Sequence, residues 1–188
     1  MRPASYIGGM YPLIGEPLYP ELWQRRIRAW APCLGPTGSI LRDWSGAKSH
    51  LSLATMEVSD WSLSNGRHAL TFATDDYLDC GAPSIGLDYT ISAFVKPSTL
   101  AGNLVIASYR STATAVPFLF QLDRNGSDYR LVYRNDASNL VIVVASGAAS
   151  TTATHVCATK SGTKIVLYVN GFAAATGTAT AGACTVNS

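Results

Sequence analysis

From residue 30 onward, hydrophobic and polar residues alternate in short runs that are separated by turn residues. Residues 87–95 alternate and then stop at Lys96-Pro97. Similar runs recur at about the 8–12-residue spacing that is typical of β-sandwiches and barrels. These runs cover residues 104–109, 118–122, 129–133, 140–144, 155–159, 164–169 and 172–176. The pattern therefore predicts an all-β fold.

Turn residues separate the predicted strands. Asn170-Gly171 suits a two-residue hairpin turn, because both residues tolerate the positive φ that such a turn needs. The segment Asp123-Arg124-Asn125-Gly126 predicts another turn, and residues 160–163 predict a third. Asn125 also begins a glycosylation sequon, which we interpret as part of the hairpin turn only. These turns predict that neighbouring strands pair as antiparallel hairpins.

Residues 1–22 differ from the rest of the chain. They contain four prolines, which oppose helix formation, together with Tyr6, Tyr11 and Tyr19. Such an arm can lie extended against another surface, where tyrosine adds contact area at a small entropic cost. We predict an extended N-terminal arm over residues 1–22, either a docking arm or a locally packed leader. A main domain is predicted over residues 23–188, with a short helix possible only between residues 20 and 30.

Charged residues make up only 14% of the chain. An average soluble protein has about 25%, so a coiled coil, which needs charge to solubilise its helices, is excluded. The net charge of +2 provides no basic face for nucleic acid, and we expect no nucleic-acid partner. Beyond Asp136 the only charged residues are Lys160 and Lys164. Because charges usually protect sheet edges, this scarcity favours a subunit whose faces are covered by neighbours.

The chain shows no export or membrane signal. Glycine and proline interrupt every apolar run near the N-terminus, and no stretch approaches the ~18 apolar residues of a membrane span. We therefore expect synthesis in a cytosol and no membrane partner. The four cysteines form no paired metal-binding motif, and their apolar surroundings predict buried free thiols. They are Cys33, Cys80, Cys157 and Cys184.

Five motifs, taken together and in order, resemble laminin-G-like, concanavalin A-like jelly rolls. They lie within residues 30–176 and are, in sequence, DWSG with KSH at residues 43–50, HALTF with DDYLDC at 68–80, YTISAFVKP at 89–97, HVCAT at 155–159 and TKIVLYVNG at 163–171. The resemblance implies an antiparallel β-sandwich. The alternation agrees, since it places Ile91, Ala93 and Val95 on one face that a second sheet can cover.

The sequence departs from the family pattern at its C-terminal end. The family usually ends in a further strand that closes a sheet, and this sequence stops before that strand. We expect that the sequence is a fragment of a longer chain, or that a neighbouring subunit or the N-terminal arm fills the position. The last residues predict a loop followed by the beginning of a strand at residues 184–186.

The resemblance also implies candidate binding residues. Laminin-G-like domains often hold Ca²⁺ near one rim, which makes Asp43 the candidate ligand; the alternative is that Asp43 caps its own turn. Trp44 and Trp61 are candidate glycan-binding residues, with burial in the core as the alternative. Asp75 and Asp76 are interpreted as turn residues. No cofactor other than calcium is expected.

Catalysis is not expected. Glucanases with this fold use closely spaced carboxylates on one strand. The chain has only three glutamates, Glu16, Glu21 and Glu57, and none lies in a predicted strand. Three hypotheses remain. The first is a virion surface or decoration protein of tailed-phage type, docked through its arm and assembled with itself or other capsid proteins. The second is a carbohydrate-binding module for host attachment, and the disfavoured third is a hydrolase.

Overall fold

The computed structural model describes residues 36, 38–43, 45, 48–53, 56–64, 66–73, 76–79, 88–109, 120–134 and 140–179. The chain divides into two compact units, Met1–Pro83 and Ser84–Ser188. In the described ranges, every regular element is a β-strand except one 3₁₀ turn at Val58–Asp60. None of the described helical residues forms a helix long and apolar enough to span a membrane.

The N-terminal unit contains two small antiparallel sheets. Strand β1 (Ile40–Leu41) pairs with β2 (Leu51–Ser52), and β3 (Trp61–Ser64) pairs with β4 (Arg67–Leu70). The buried residues of this unit form a small core of their own, against which Trp61, Leu70 and Leu78 pack. That core consists of Leu41, Leu51, Leu53 and Met56.

The C-terminal unit contains two four-stranded antiparallel sheets. Its strands are β5 (Tyr89–Val95), β6 (Asn103–Tyr109), β7 (Phe120–Asn125), β8 (Asp128–Arg134), β9 (Leu140–Ala145), β10 (Thr154–Ser161), β11 (Lys164–Val169) and β12 (Phe172–Thr178). One sheet has the order β12-β11-β10-β5, and the other has the order β6-β7-β8-β9. In the described sheets, β5, β6, β9 and β12 are the edge strands, and β7, β8, β10 and β11 are the inner strands.

The two sheets of the C-terminal unit share one hydrophobic core. Leu122 and Leu131 come from one sheet, and Val156, Ile165 and Leu167 come from the other, and all five are fully buried. Two facing sheets that bury their alternating inner residues form a β-sandwich. The prediction of an all-β antiparallel sandwich is therefore confirmed.

The sheets approach closely where β12 faces β9. A Cβ atom added to Gly177 would overlap the Cγ2 methyl of Val143 on the opposite sheet. A residue with no side chain at position 177 lets Val143 fill the space between the sheets. Position 177 requires glycine because a side chain there would collide with Val143, and not because its backbone has a positive φ.

Several predictions about local structure are confirmed. Ile91, Ala93 and Val95 lie on one, partly buried side of β5. Asn170 and Gly171 form the predicted turn, with φ of 51° and 85°. Both values are positive, as a two-residue hairpin turn of this kind requires.

The predicted hairpin turn between β7 and β8 is present and includes Gly126, but its predicted start at Asp123 is wrong. Asp123 and Arg124 belong to β7 and are buried, and the turn lies at Gly126-Ser127, between the paired residues Asn125 and Asp128. Charged residues favour turns when water is their only partner. Here both side chains find partners within the sheet, so the strand continues through them.

Some predictions concern residues outside the described ranges. They are the arm of residues 1–22 with Tyr6, Tyr11 and Tyr19, the short helix at residues 20–30, the closing strand at residues 184–186, and Trp44, Asp75, Cys33, Cys80 and Cys184. They stay predictions, as does the division of the chain at residue 22.

Candidate functional site

Asp43 is the centre of a hydrogen-bonded turn in the N-terminal unit. Its Oδ1 accepts a bond from the backbone N–H of Ser45 at 2.8 Å, and its Oδ2 accepts one from the Ser45 hydroxyl at 2.8 Å. The backbone N–H of Ser49 donates to Oδ2 at 2.9 Å, and the N–H of Asp43 donates to His50 Nδ1 at 3.0 Å. The aspartate, the serines and the histidine of this motif therefore hold the loop between β1 and β2.

This arrangement fits the structural alternative for Asp43 better than a calcium ligand. Ca²⁺ needs six to eight oxygen atoms around it. Both Asp43 oxygens already accept hydrogen bonds, and the side chain is buried. In the part of the chain that the structure describes, no group of three or more His, Cys, Asp or Glu side chains could hold a metal ion. Calcium binding at Asp43 stays a prediction.

Trp61 occupies a structural position at the start of β3. Its ring packs against the small core of the N-terminal unit, and its Nε1–H donates to the carbonyl oxygen of Gly38 at 3.1 Å. A tryptophan that stacks on a sugar presents an open ring face. This placement favours the core interpretation, and the glycan role of Trp61 stays a prediction. Asp76 caps its turn as interpreted, because its Oδ2 accepts a bond from the Ala73 N–H at 2.7 Å.

The outward side of the sheet β12-β11-β10-β5 has an unusual composition. Along each strand, the residues that alternate with the core residues lie on this side, and cross-strand pairing brings them next to one another. We name this side of the sheet the hydroxyl face. Seven of its side chains end in hydroxyl groups, namely Thr90, Ser92, Thr159, Ser161, Tyr168, Thr176 and Thr178. Of the described residues on this face, Lys164 alone carries a formal charge. The hydroxyl face is therefore polar and nearly neutral.

An aromatic cluster lies at one end of the hydroxyl face. Phe94 on β5 pairs with His155 on β10, and their ring centroids are 4.7 Å apart with an interplanar angle of 40°. The Phe94 side chain is nevertheless 80% exposed, so its other ring face is open to solvent. Single exposed apolar residues are common on protein surfaces, so the polar groups beside Phe94 are what make it a candidate for binding.

Hydrogen bonds fix the histidine of this cluster. Ser92 Oγ and His155 Nε2 form a hydrogen bond of 2.7 Å. The backbone N–H of His155 donates to Asn170 Oδ1 at 3.0 Å, and the Asn170 N–H donates to the His155 carbonyl at 2.8 Å. A serine and a histidine at this distance also resemble part of a catalytic triad. Across the described ranges, however, no carboxylate contacts this histidine, so the pair has no orienting third member.

Cys157 also lies on the hydroxyl face, on β10 directly opposite Ser92. The sequence predicts a buried free thiol; Cys157 is free but only partly buried, because its strand position faces away from the core. Partial burial raises the pKa of the Cys157 thiol above its ordinary value. The thiol is therefore protonated and weakly nucleophilic at neutral pH.

Charge is distributed unevenly between the strands of the C-terminal unit. In the described sheets, the inner strands hold every charged residue, and the four edge strands hold none. The inner-strand charges are Asp123, Arg124, Asp128, Arg130, Arg134, Lys160 and Lys164. On edge strand β9, the outward residues Leu140, Ile142 and Val144 are exposed. The edges of this sandwich therefore lack the usual charged protection.

The buried charges of the inner strands have specific partners. Asp123 is 1% exposed and receives two bonds from the Arg130 guanidinium, at 2.8 and 3.0 Å, and one from Gln121 at 2.7 Å. The bond to Asp123 raises the pKa of Arg130. Arg124 donates to the carbonyl oxygens of three residues in neighbouring loops, Ala101, Gly102 and Gly126. These contacts are structural and bind the hairpin β7–β8 to the loop before β6.

The Phe94 cluster is not among the residues predicted from the sequence. A signal for it was present, because a strand whose Ile91, Ala93 and Val95 face the core must present Ser92 and Phe94 on the other side. A large aromatic residue on the outward side of a strand is a candidate for binding. The hydrogen bond between Ser92 and His155 had no such signal, since the two residues are 63 positions apart.

Comparison with known families agrees with this architecture. The family model of laminin G type, from the concanavalin A-like lectin/glucanases superfamily, matches residues 72–188. No curated protein and no solved structure matches the chain. Domains of laminin G type are in general non-catalytic binding modules, and lectin-type members can bind glycans. The matched region covers more than half of the chain and includes all strands from β5 to β12. The chain belongs to the concanavalin A-like lectin/glucanases superfamily.

Proposed function

We propose that the protein is a non-catalytic structural subunit on the surface of a virion of tailed-phage type. One observation supports the proposal: the edge strands of the C-terminal sandwich carry no charge, whereas the inner strands carry all of it. Free-standing β-proteins usually protect their edges with charged residues, proline or bulges. Edge strands β6 and β12 have irregular pairing of the bulge type, whereas β5 and β9 have neither charge nor such an irregularity. An edge that a neighbouring copy covers does not need that protection.

Edge strand β9 is the main contact in this proposal. All six of its residues, Leu140–Ala145, are apolar. Antiparallel pairing of β9 with β9 of a second copy satisfies the backbone groups of both edges and covers the outward residues Leu140, Ile142 and Val144. The arm of residues 1–22, with Tyr6, Tyr11 and Tyr19, then docks the subunit on other capsid proteins.

The test of assembly is the mass of the particle in solution, measured by light scattering after size exclusion. We expect an oligomer for the wild type and a shift towards monomer for Ile142→Lys, which places a charge in the centre of β9. Val58→Lys is the matched control, because Val58 is an exposed apolar residue in the N-terminal unit. A monomeric wild type, or equal effects of both substitutions, contradicts the assembly proposal.

The virion part of the proposal has its own experiment. Virus particles purified from a culture that produces the protein are expected to contain it in many copies, detected by mass spectrometry. A variant that lacks residues 1–22 is expected to be depleted from those particles. Particles without the protein contradict the virion role, and unchanged incorporation of the shortened variant contradicts the docking role of the arm.

Carbohydrate binding is the second candidate function. Membership of a lectin-type superfamily and the open ring of Phe94 favour it. The two functions are compatible, because a subunit on a particle surface can also bind a glycan. Binding of the wild type to a glycan array tests this function, and an array without any signal contradicts it. Trp44→Ala and Trp61→Ala on the same array test the two tryptophans.

A further inference from the structure

We infer that the hydroxyl face binds a neutral glycan, with one sugar ring stacked on Phe94. The inference rests on the second candidate function, carbohydrate binding, and does not depend on assembly. It assigns the site to β5 and β10 of the C-terminal unit and not to Asp43, Trp44 or Trp61.

The first argument is the open ring of Phe94. A sugar ring has an apolar side formed by its C–H groups, and this side stacks on an aromatic ring while the hydroxyl groups point outward. Phe94 presents such a ring, 80% exposed and supported from one side by His155 at 4.7 Å. The support limits the rotation of the phenyl ring before a ligand arrives, which lowers the entropic cost of binding.

The second argument is the set of polar groups beside that ring. Ser92 Oγ and His155 Nε2 are joined by a hydrogen bond of 2.7 Å next to Phe94. Asn170 uses its Oδ1 and its backbone N–H to hold His155, and its exposed side chain lies at the same end of the sheet. Hydroxyl, imidazole and amide groups are suitable partners for sugar hydroxyls because each can donate and accept.

The third argument is charge. An anionic polysaccharide needs several arginine or lysine residues at its site. In the described strands of this face, Lys164 is the only such residue, and it lies at the other end of the sheet from Phe94. Lys96, directly beyond the end of β5, is one exposed lysine near Phe94, which is fewer than an anionic polysaccharide needs. Thr90 and Thr159 continue the face with hydroxyl groups that can extend the contact along a chain of sugars. The chemistry of the face therefore fits a neutral oligosaccharide.

The experiment measures binding of three neutral probes, maltohexaose, cellohexaose and mannohexaose, by saturation-transfer NMR and calorimetry. A hyaluronan hexasaccharide is the anionic comparison. Phe94→Ala tests the site, and Phe172→Ala is a matched control, because Phe172 is 79% exposed but pairs with the inward residue Val169 on another strand. We expect binding of at least one neutral probe to weaken roughly tenfold in Phe94→Ala and to change less than about twofold in Phe172→Ala.

Three results overturn the inference, and they are distinguishable. If the wild type binds no neutral probe, both the site and the carbohydrate function are contradicted. If the wild type binds and Phe94→Ala binds equally well, the function stands and the site is wrong. If the hyaluronan probe binds more tightly than the neutral probes, the assignment to a neutral ligand is wrong. Circular dichroism of both variants confirms that the exposed substitutions leave the fold intact.

Discussion

The inner and edge strands of the C-terminal sandwich differ in where they place charged and apolar residues. Inner strands β7 and β8 bury Asp123 and Arg124 and surround them with partners, whereas edge strand β9 exposes Ile142 to water. The usual distribution is the reverse, with apolar residues inside and charges at the edges. In the described sheets, the buried charges of the inner strands are held by internal contacts, whereas the exposed apolar residues of β9 underlie the assembly proposed above.

The largest expected effect separates the two regions directly. Leu131→Ala on β8 removes a fully buried side chain and should lower the free energy of unfolding by about 2–5 kcal/mol. Ile142→Ala on β9, where the side chain is 49% exposed, should lower it by less than about 0.5 kcal/mol in the monomer. Urea denaturation at low protein concentration measures both. Equal losses would remove the distinction between inner and edge strands.

The second effect concerns the buried ion pair. Asp123→Ala leaves the Arg130 guanidinium without its carboxylate partner and should cost about 2 kcal/mol, because an unpaired cation in a partly buried place is poorly solvated. The double variant Asp123→Ala/Arg130→Met should lose less than the sum of the two single variants. Additive losses in thermal or urea unfolding would show that the pair has no mutual stabilisation.

The third effect concerns edge strand β12, which packs tightly against the opposite sheet on its core side. Gly177→Ala on β12 forces a methyl group into Val143 and should cost about 1–3 kcal/mol. Val143→Ala makes room for that methyl, so the double variant should be more stable than the two single losses predict. If the second substitution brings no recovery, the contact between Gly177 and Val143 does not limit this position.

The smallest effect is a dependence on pH. Burial raises the pKa of Cys157 from its ordinary value of 9.0, so the folded chain holds this proton more tightly than the unfolded chain. The resulting stabilisation is fully present below 9.0 and is lost as pH rises through the raised value. The wild type should therefore lose slightly more Tm than Cys157→Ser when pH passes from below 9.0 to above it. Parallel pH profiles of the two proteins would contradict this expectation.

The strands and one hairpin could be predicted because their signals are local. Alternation defines the faces of β5, and Asn170-Gly171 permits the positive φ of its turn. Asp123 and Arg124 could not be assigned in this way. Their residue types favour a turn, and only the fold brings Arg130 and the carbonyl oxygen of Ala101 to them.

The candidate sites also differ in whether their contacts are local in sequence. The turn around Asp43 follows from a short motif, since its main partners Ser45 and Ser49 are within six residues. The alternation of β5 indicates that Phe94 lies on the outward side, but its contact with His155 joins strands that are distant in sequence and has no local signal. Sequence reasoning therefore found the structural turn and missed the exposed aromatic ring.

The pairing of β5 with β10 has a consequence for synthesis. Ser92 and His155, which meet in the finished sheet, are 63 residues apart, and the whole sheet of β6 to β9 lies between them. At roughly 5–20 residues per second, a ribosome makes β10 some 3–13 s after β5. During that interval β5, with its exposed Phe94 and no charged residue, has not yet met its partner strand. Translation before β10 emerges is therefore a period in which β5 is open to aggregation.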